Sequence, residues 1–276
     1  MGDTHIFWHH AVHTHHAVDR NLYYHTMKSF VCVCTGNKYG TVYVDKLYNM
    51  VSRHAHDFKF FVITDAKKAW RSEINQIIVD PVFPTWWNKI HMFRDDIGLE
   101  GRVLFMDLDV VIIRNIDEFW DFEGDAFVII QDFNRCRIKN YHVRNSSVMK
   151  FVAGQEVHIW NEFKQDPKKI MNRYRGDQDY MTDRYREGPI WPHNWVMSYK
   201  WEIGLEEGEK RRSPHDKFVK QRITREKVVT IKNGQKIESE QIKKFELPDD
   251  CAVAVFHGKP NPAEIQHDPL VIENWR

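Results

Sequence analysis

Cysteine is scarce in this chain and is never spaced to grip zinc. The four residues are Cys32, Cys34, Cys136 and Cys251, without the close pairing of a structural zinc site. Buried thiols in a reducing compartment are therefore expected. Charge of one sign is missing too: 40 Lys and Arg stand against 39 Asp and Glu, a net charge of +1. Such a balance gives no basis for global attraction to nucleic acid or to a membrane surface. No stretch reaches the ~20 apolar residues that a membrane-spanning helix needs, and no signal-peptide core is present. A cytoplasmic location is the resulting expectation. Internal repeats are absent, and nothing in the sequence signals an oligomeric state. The first loop, Thr35-Gly36-Asn37-Lys38-Tyr39-Gly40, lacks the G-x-G-x-x-G of dinucleotide-binding folds.

Aromatic residues, by contrast, are plentiful at 13%, with 10 Trp, which suits a large core or flat stacking surfaces for sugar or base rings. The length of 276 residues allows one large α/β domain or two small ones. Residues 1–28 stand apart as a His-rich leader, including His5, His9, His10 and His13, expected to be a mobile tail outside the fold. Residues 29–276 are read as one domain with a charged hairpin insertion near 206–246. There Val228–Lys232 and Gln235–Ser239 flank Asn233-Gly234, a type I′ turn signal. Such a hairpin is either a solvated flap or an acceptor-contacting arm.

An apolar strand over Phe30–Cys34 precedes a helix in which Val44, Leu47, Tyr48 and Val51 recur at helical spacing. Strands over Phe58–Thr64 and Ile77–Val79 follow, then a helix from Pro84 to Gly98. This rhythm predicts a Rossmann-like, mostly parallel sheet. Further strands are expected over Phe127–Ile130, Val148–Val152 and Ala252–Phe256, with a helix over Val157–Phe163.

The central stretch is Arg102–Trp120, reading RVLFMDLDVVIIRNIDEFW. Its apolar run suits a strand buried on both faces. Asp107 and Asp109 alternate at its end and are expected to aim two carboxylates at one point. Hard oxygen ligands of that kind suit Mg²⁺ or Mn²⁺, and the carboxyl edge is where open α/β sheets bind ligands. The triplet alone is weak, because the composition yields about two Asp-x-Asp triplets by chance. VLFMDLDVV also fits the pattern of haloacid-dehalogenase-type phosphatases, with Asp107 as nucleophile. That pattern ends a first strand, however, whereas here two or three strand units come before it.

The run Lys89-Ile90-His91-Met92-Phe93, a short gap and then VLFMDLDVVIIRNIDEFW resembles glycogenin and its relatives, the family-eight glycosyltransferases of GT-A fold. Further segments match in order: Thr35–Tyr39 resembles their first nucleotide loop and Asn145-Ser146-Ser147-Val148-Met149 their Asn-Ser-Gly segment. Gly176-Asp177-Gln178-Asp179 is similar to their Asp-Gln motif, and Phe256-His257-Gly258-Lys259-Pro260 to their closing segment. The likeness spans about residues 30 to 262.

The resemblance implies a GT-A domain, α/β with a mostly parallel central sheet, and a hexosyltransferase moving a sugar from a UDP-sugar to a saccharide or other hydroxyl acceptor with retention. It adds His257 to Asp107 and Asp109 as the third ligand of Mn²⁺ or Mg²⁺. Lys89, Gly258 and Lys259 would contact the donor diphosphate. Lys259 departs from the pattern, since only Gly258 separates it from His257. Tyr39 would stack on the base and Asp65 would bond to it, with Thr35 and Asn37 as further loop contacts. Asn145 and Ser146 would bind sugar hydroxyls, and Asp177 and Gln178 would act at the reacting centre. Trp191, Trp195 and Trp201, with His193 and Asn194, are candidates for the acceptor wall or for core. A nucleotide-sugar-binding protein without transfer activity is the alternative from another class.

Overall fold

The computed structural model describes residues 27–136, 138–203, 225–232, 235–242, 247–266 and 268–276. The His-rich leader up to residue 26, the Asn233-Gly234 turn and most of the charged insertion lie outside the described residues.

Strand β1 (Lys28–Cys34) sits mid-sheet, paired in parallel with β2 (Phe58–Thr64) and β4 (Arg102–Met106). Its alternate residues feed two cores: Phe30, Cys32 and Cys34 enter one, Val31 the other. A strand packed on both faces needs apolar residues without alternation, which is why the run is continuous. Beyond β2 lies β3 (Ile74–Ile78). On the other side of β4 come β7 (Arg144–Val152) and β6 (Val128–Gln131). The sheet order is β3-β2-β1-β4-β7-β6, and only β7 runs against its neighbours. A second sheet joins β5 (Val110–Ile112), β11 (Val253–Val255) and β8 (Val196–Ser198) in the order β5-β11-β8.

Helix α1 (Thr41–His54) buries Val44, Leu47, Met50 and Val51 on one stripe, the face expected from their spacing. Gly101 admits the chain to β4. It has φ +65, and a Cβ there would lie 2.1 Å from the Met27 carbonyl oxygen, so a side chain is excluded. Strands β9 (Arg225–Lys232) and β10 (Gln235–Ile242) pair antiparallel with Lys232 opposite Gln235, the register that a two-residue connection gives.

Three local readings change. The segment from Thr85 to Phe93 is a 3₁₀ helix ending at Arg94, four residues short of Gly98. Asn145–Ser147 lie inside β7 and not ahead of it. Cys136 is half-buried, while the other three cysteines are buried and free.

Lys150, in β7, is fully buried, and its ammonium donates to the Phe122 and Gly124 carbonyls. Burial pushes its pKa down from 10.5 to about 8. The unfolded chain then holds that proton more tightly between the two values, so this group's contribution to stability rises with pH from 8 to 10.5. Lys150→Met is expected to change stability at pH 7 by no more than about 1 kcal/mol, because the half-buried Phe122 and exposed Gly124 carbonyls can turn to water while the cost of burying the charge is lifted. The variant should also lose the alkaline rise. Urea midpoints at pH 7.5 and 9.5 check both effects.

Candidate active site

The carboxyl end of β4 is the centre of the site. Met106 closes the strand, and the Asp107 amide still donates to the Ser147 carbonyl at 2.9 Å. The chain then turns at Leu108 and Asp109 before β5, with Leu108 buried in the core. That turn ends strand alternation, so the two carboxylates do not share a partner. Asp107 lies 2.9 Å from the Lys89 ammonium, whereas Asp109 accepts from the Tyr39 hydroxyl at 2.8 Å.

Lys89 comes from the 3₁₀ helix and is only 8% exposed. Its Nζ reaches Asp107, the Ser146 hydroxyl at 3.2 Å and the Asp177 carboxylate at 3.4 Å. Ser146 in turn donates to Asp177 at 2.6 Å. Burial works against the Lys89 charge, but Asp107 and Asp177 outweigh it and hold its pKa above the ordinary lysine value. Burial raises both carboxyl pKa values, opposed by the one shared cation. With both acids ionised the trio carries net negative charge in a dry place, an arrangement that attracts a further cation.

Asp177 opens a helix (Asp177–Arg184) whose N-cap is Gly176. The Gln178 amide accepts from Asn145 at 3.1 Å and donates to Asp132 at 3.1 Å. Asp179 does not cap the helix; it pairs with Arg175 at 2.7 Å.

The first loop meets the same edge. Asn88 donates to the Thr35 hydroxyl at 3.0 Å, and the Gly36 amide donates to Asp65 at 2.7 Å. That bond, with the Lys68 ammonium 3.3 Å away, holds the Asp65 pKa below the usual carboxylate range. Tyr39 packs against Tyr43 with ring centroids 4.8 Å apart, and Asn37 is exposed.

His257 follows β11. The Phe256 amide donates to the Asp109 carbonyl at 2.9 Å, which sets His257 beside Asp109 along the backbone. Its Nε2 lies 2.6 Å from the Ser198 hydroxyl, and its ring stacks on Phe133. Burial and the nearby Lys200 push its pKa down to about 3, so the imidazole is neutral. Among the described residues, no three His, Cys, Asp or Glu side chains are gathered into a ready metal cage.

Lys259 is exposed and pairs with Glu264 at 3.3 Å, while Gly258 takes a φ of 77°. Trp191 is 1% exposed, bonded to the Val148 carbonyl at 3.0 Å and packed on Phe119, which makes it core. Trp195 packs on Phe119 and Phe122, and Trp201 meets the His257 ring edge-on. His193 contacts Gln131 at 2.8 Å, and Asn194 is exposed. Asp132, Ser198 and Trp86 are site-edge residues that no sequence motif marks.

The fold is similar to that of solved glycosyltransferases. The galactosyltransferase LgtC, solved with donor and acceptor sugar analogs, superposes with a TM-score of 0.56 at 13% identity, covering 85% of this chain and 88% of LgtC. The glycosyltransferase GlyE of Streptococcus pneumoniae TIGR4 gives 0.58 at 10% identity, over 85% of this chain and 56% of GlyE. No protein-family model and no curated protein matches the sequence. The shared architecture is the GT-A fold, α/β with a mostly parallel central sheet. Among the described residues, no helix is long and apolar enough to cross a membrane.

Proposed function

We propose that this protein is a glycosyltransferase that moves a sugar from a UDP-sugar to a hydroxyl acceptor with retention of configuration. The observation carrying this reading is Lys89, a buried cation between Asp107 and Asp177 at the carboxyl edge of the central sheet. Breaking a glycosidic bond to a nucleoside diphosphate builds negative charge on the leaving group, and a fixed cation in a dry site stabilises that charge.

Mn²⁺ or Mg²⁺ fits the donors on hand: two carboxylates, a neutral imidazole and local negative charge. Asp107, Asp109 and His257 would hold it, with His257 released from Ser198. When bound, the ion neutralises diphosphate charge as a Lewis acid. Lys89 adds its ammonium to the same charge, and Gly258 and Lys259 would contact the diphosphate once Lys259 leaves Glu264. Tyr39, Asp65, Thr35 and Asn37 bind the nucleoside from the first loop. Asn145 and Ser146 orient sugar hydroxyls from β7. Asp177, held by Ser146 and Lys89, faces the reacting carbon and stabilises oxocarbenium-like charge, with Gln178 positioned through Asn145 and Asp132.

The test is a screen of UDP-, GDP- and CMP-sugars, with and without Mn²⁺, beside Asp109→Asn. The expected result is metal-dependent UDP release that falls about 100-fold or more in the variant. Donor binding without release under every acceptor tried would favour a non-catalytic binder. Phosphate release from simple phosphoesters, with no donor bound, would replace the reading with phosphatase chemistry. Against that outcome stands the position of β4, a central strand reached only after three others.

A further inference from the structure

With Trp191 in the core and half-buried Trp195 packed against it, the aromatic surface at the site edge is a different one. Residues 86 and 87 are consecutive tryptophans with opposite fates. Trp87 is buried against Phe163 and Tyr180, while Trp86 is 47% exposed. In a 3₁₀ helix, residues three apart eclipse one another, so Trp86 stands one turn ahead of Lys89 on the same face. Its indole also lies directly on Gly176: a Cβ there would come within 2.5 Å of the Trp86 Nε1. Gly176 is the residue before Asp177. One exposed ring thus abuts the chain just before Asp177 and stands a turn ahead of Lys89, its partner in the buried 3.4 Å ion pair. To either side of Gly176 in sequence, the exposed Arg175 guanidinium and the half-buried Asp179 carboxylate form a polar pair 2.7 Å apart. Thr85 takes a φ of +51 immediately before Trp86, a conformation costly for a β-branched residue.

An exposed indole beside forked polar groups suits a sugar ring, which presents C–H groups on one face and hydroxyls at its rim. We propose that Trp86 is the acceptor platform, and that the acceptor is a saccharide whose ring lies on the indole with hydroxyls toward Arg175 and Asp179. The assignment rests on the glycosyltransferase reading above and narrows its acceptor to a sugar.

The experiment measures sugar transfer by the intact chain from the donor that the screen identifies. Glucose, galactose, maltose and lactose serve as ring acceptors, with glycerol and a serine- and tyrosine-containing peptide as non-ring hydroxyls. A saccharide is expected to be preferred. Trp86→Ala should raise its KM about 10-fold or more, with the donor KM held within about twofold, and Trp86→Phe should restore most of the loss. A general structural defect would not give that split. An unchanged acceptor KM in Trp86→Ala, a parallel rise in donor KM, or preference for the peptide would each overturn the platform. Donor turnover with no saccharide accepted would overturn it while leaving the glycosyltransferase reading intact. No turnover of any donor by the unaltered protein would overturn both.

Discussion

Lys89→Met is expected to cut UDP-sugar turnover by about 100- to 1,000-fold and to lower folding stability by about 3–5 kcal/mol. The second effect follows from what the variant leaves behind. Lys89 is the cation 2.9 Å from Asp107 and 3.4 Å from Asp177, and both acids already have pKa values raised by burial. Without the ammonium, the buried Asp177 and half-buried Asp107 carboxylates repel each other with nothing between them. Their pKa values rise further, and one acid takes up a proton nearer neutral pH. A group whose pKa is raised in the folded state favours folding at low pH and loses that contribution as pH climbs through the raised value. The variant should therefore be more stable at pH 5 than at pH 8. Adding Asp177→Asn should recover part of the stability and none of the activity. Urea unfolding at both pH values, with UDP release measured alongside, tests the account; a wild-type midpoint for Lys89→Met at pH 8 would sink it.

The main features of the fold could be read in advance because each rests on a local pattern. The continuous run of β1, the helical stripe of α1 and the apolar strand ahead of Asp107 follow from burial alone. The ordered motifs also meet in space: Lys89, Asp107, Ser146 and Asp177 form one hydrogen-bonded group, and the next residues along, Asn145 and Gln178, bond to each other. What was not legible depends on geometry that spacing does not encode. The turn at Leu108 and Asp109 sends two carboxylates to different partners, although strand alternation would bring them together. Asp132 carries no motif, and only the fold brings it to Gln178. The hydroxyl on His257 comes from Ser198, 59 positions away. Tryptophans are ambiguous for a simpler reason: one ring serves a core or a ligand equally well, and only packing separates buried Trp191 from exposed Trp86.

Asp177→Asn should separate activity from stability. At pH 7.5 the variant is expected to be as stable as the unaltered protein, or about 1 kcal/mol more stable, while turnover falls about 100-fold or more. Asp177 is only 4% exposed, and burial raises its pKa above the ordinary 3.8. The raised value means that ionisation costs the folded state more than the unfolded one, so at neutral pH this carboxylate weighs against folding. Asparagine has the same shape and still accepts from Ser146, and Lys89 keeps its closer partner Asp107. The ionisation cost disappears, and so does the negative charge proposed to face the reacting carbon. Near pH 4 the unfolded side chain, with its ordinary value of 3.8, is itself about half protonated, so the stability gain should be much smaller there. Thermal midpoints at pH 7.5 and pH 4, set beside UDP release, make the comparison. If activity and stability fell together at pH 7.5, Asp177 would be a structural anchor and its place at the reacting centre would be lost. A gain in stability with lost turnover is the behaviour of a charge kept in a dry site for its chemistry.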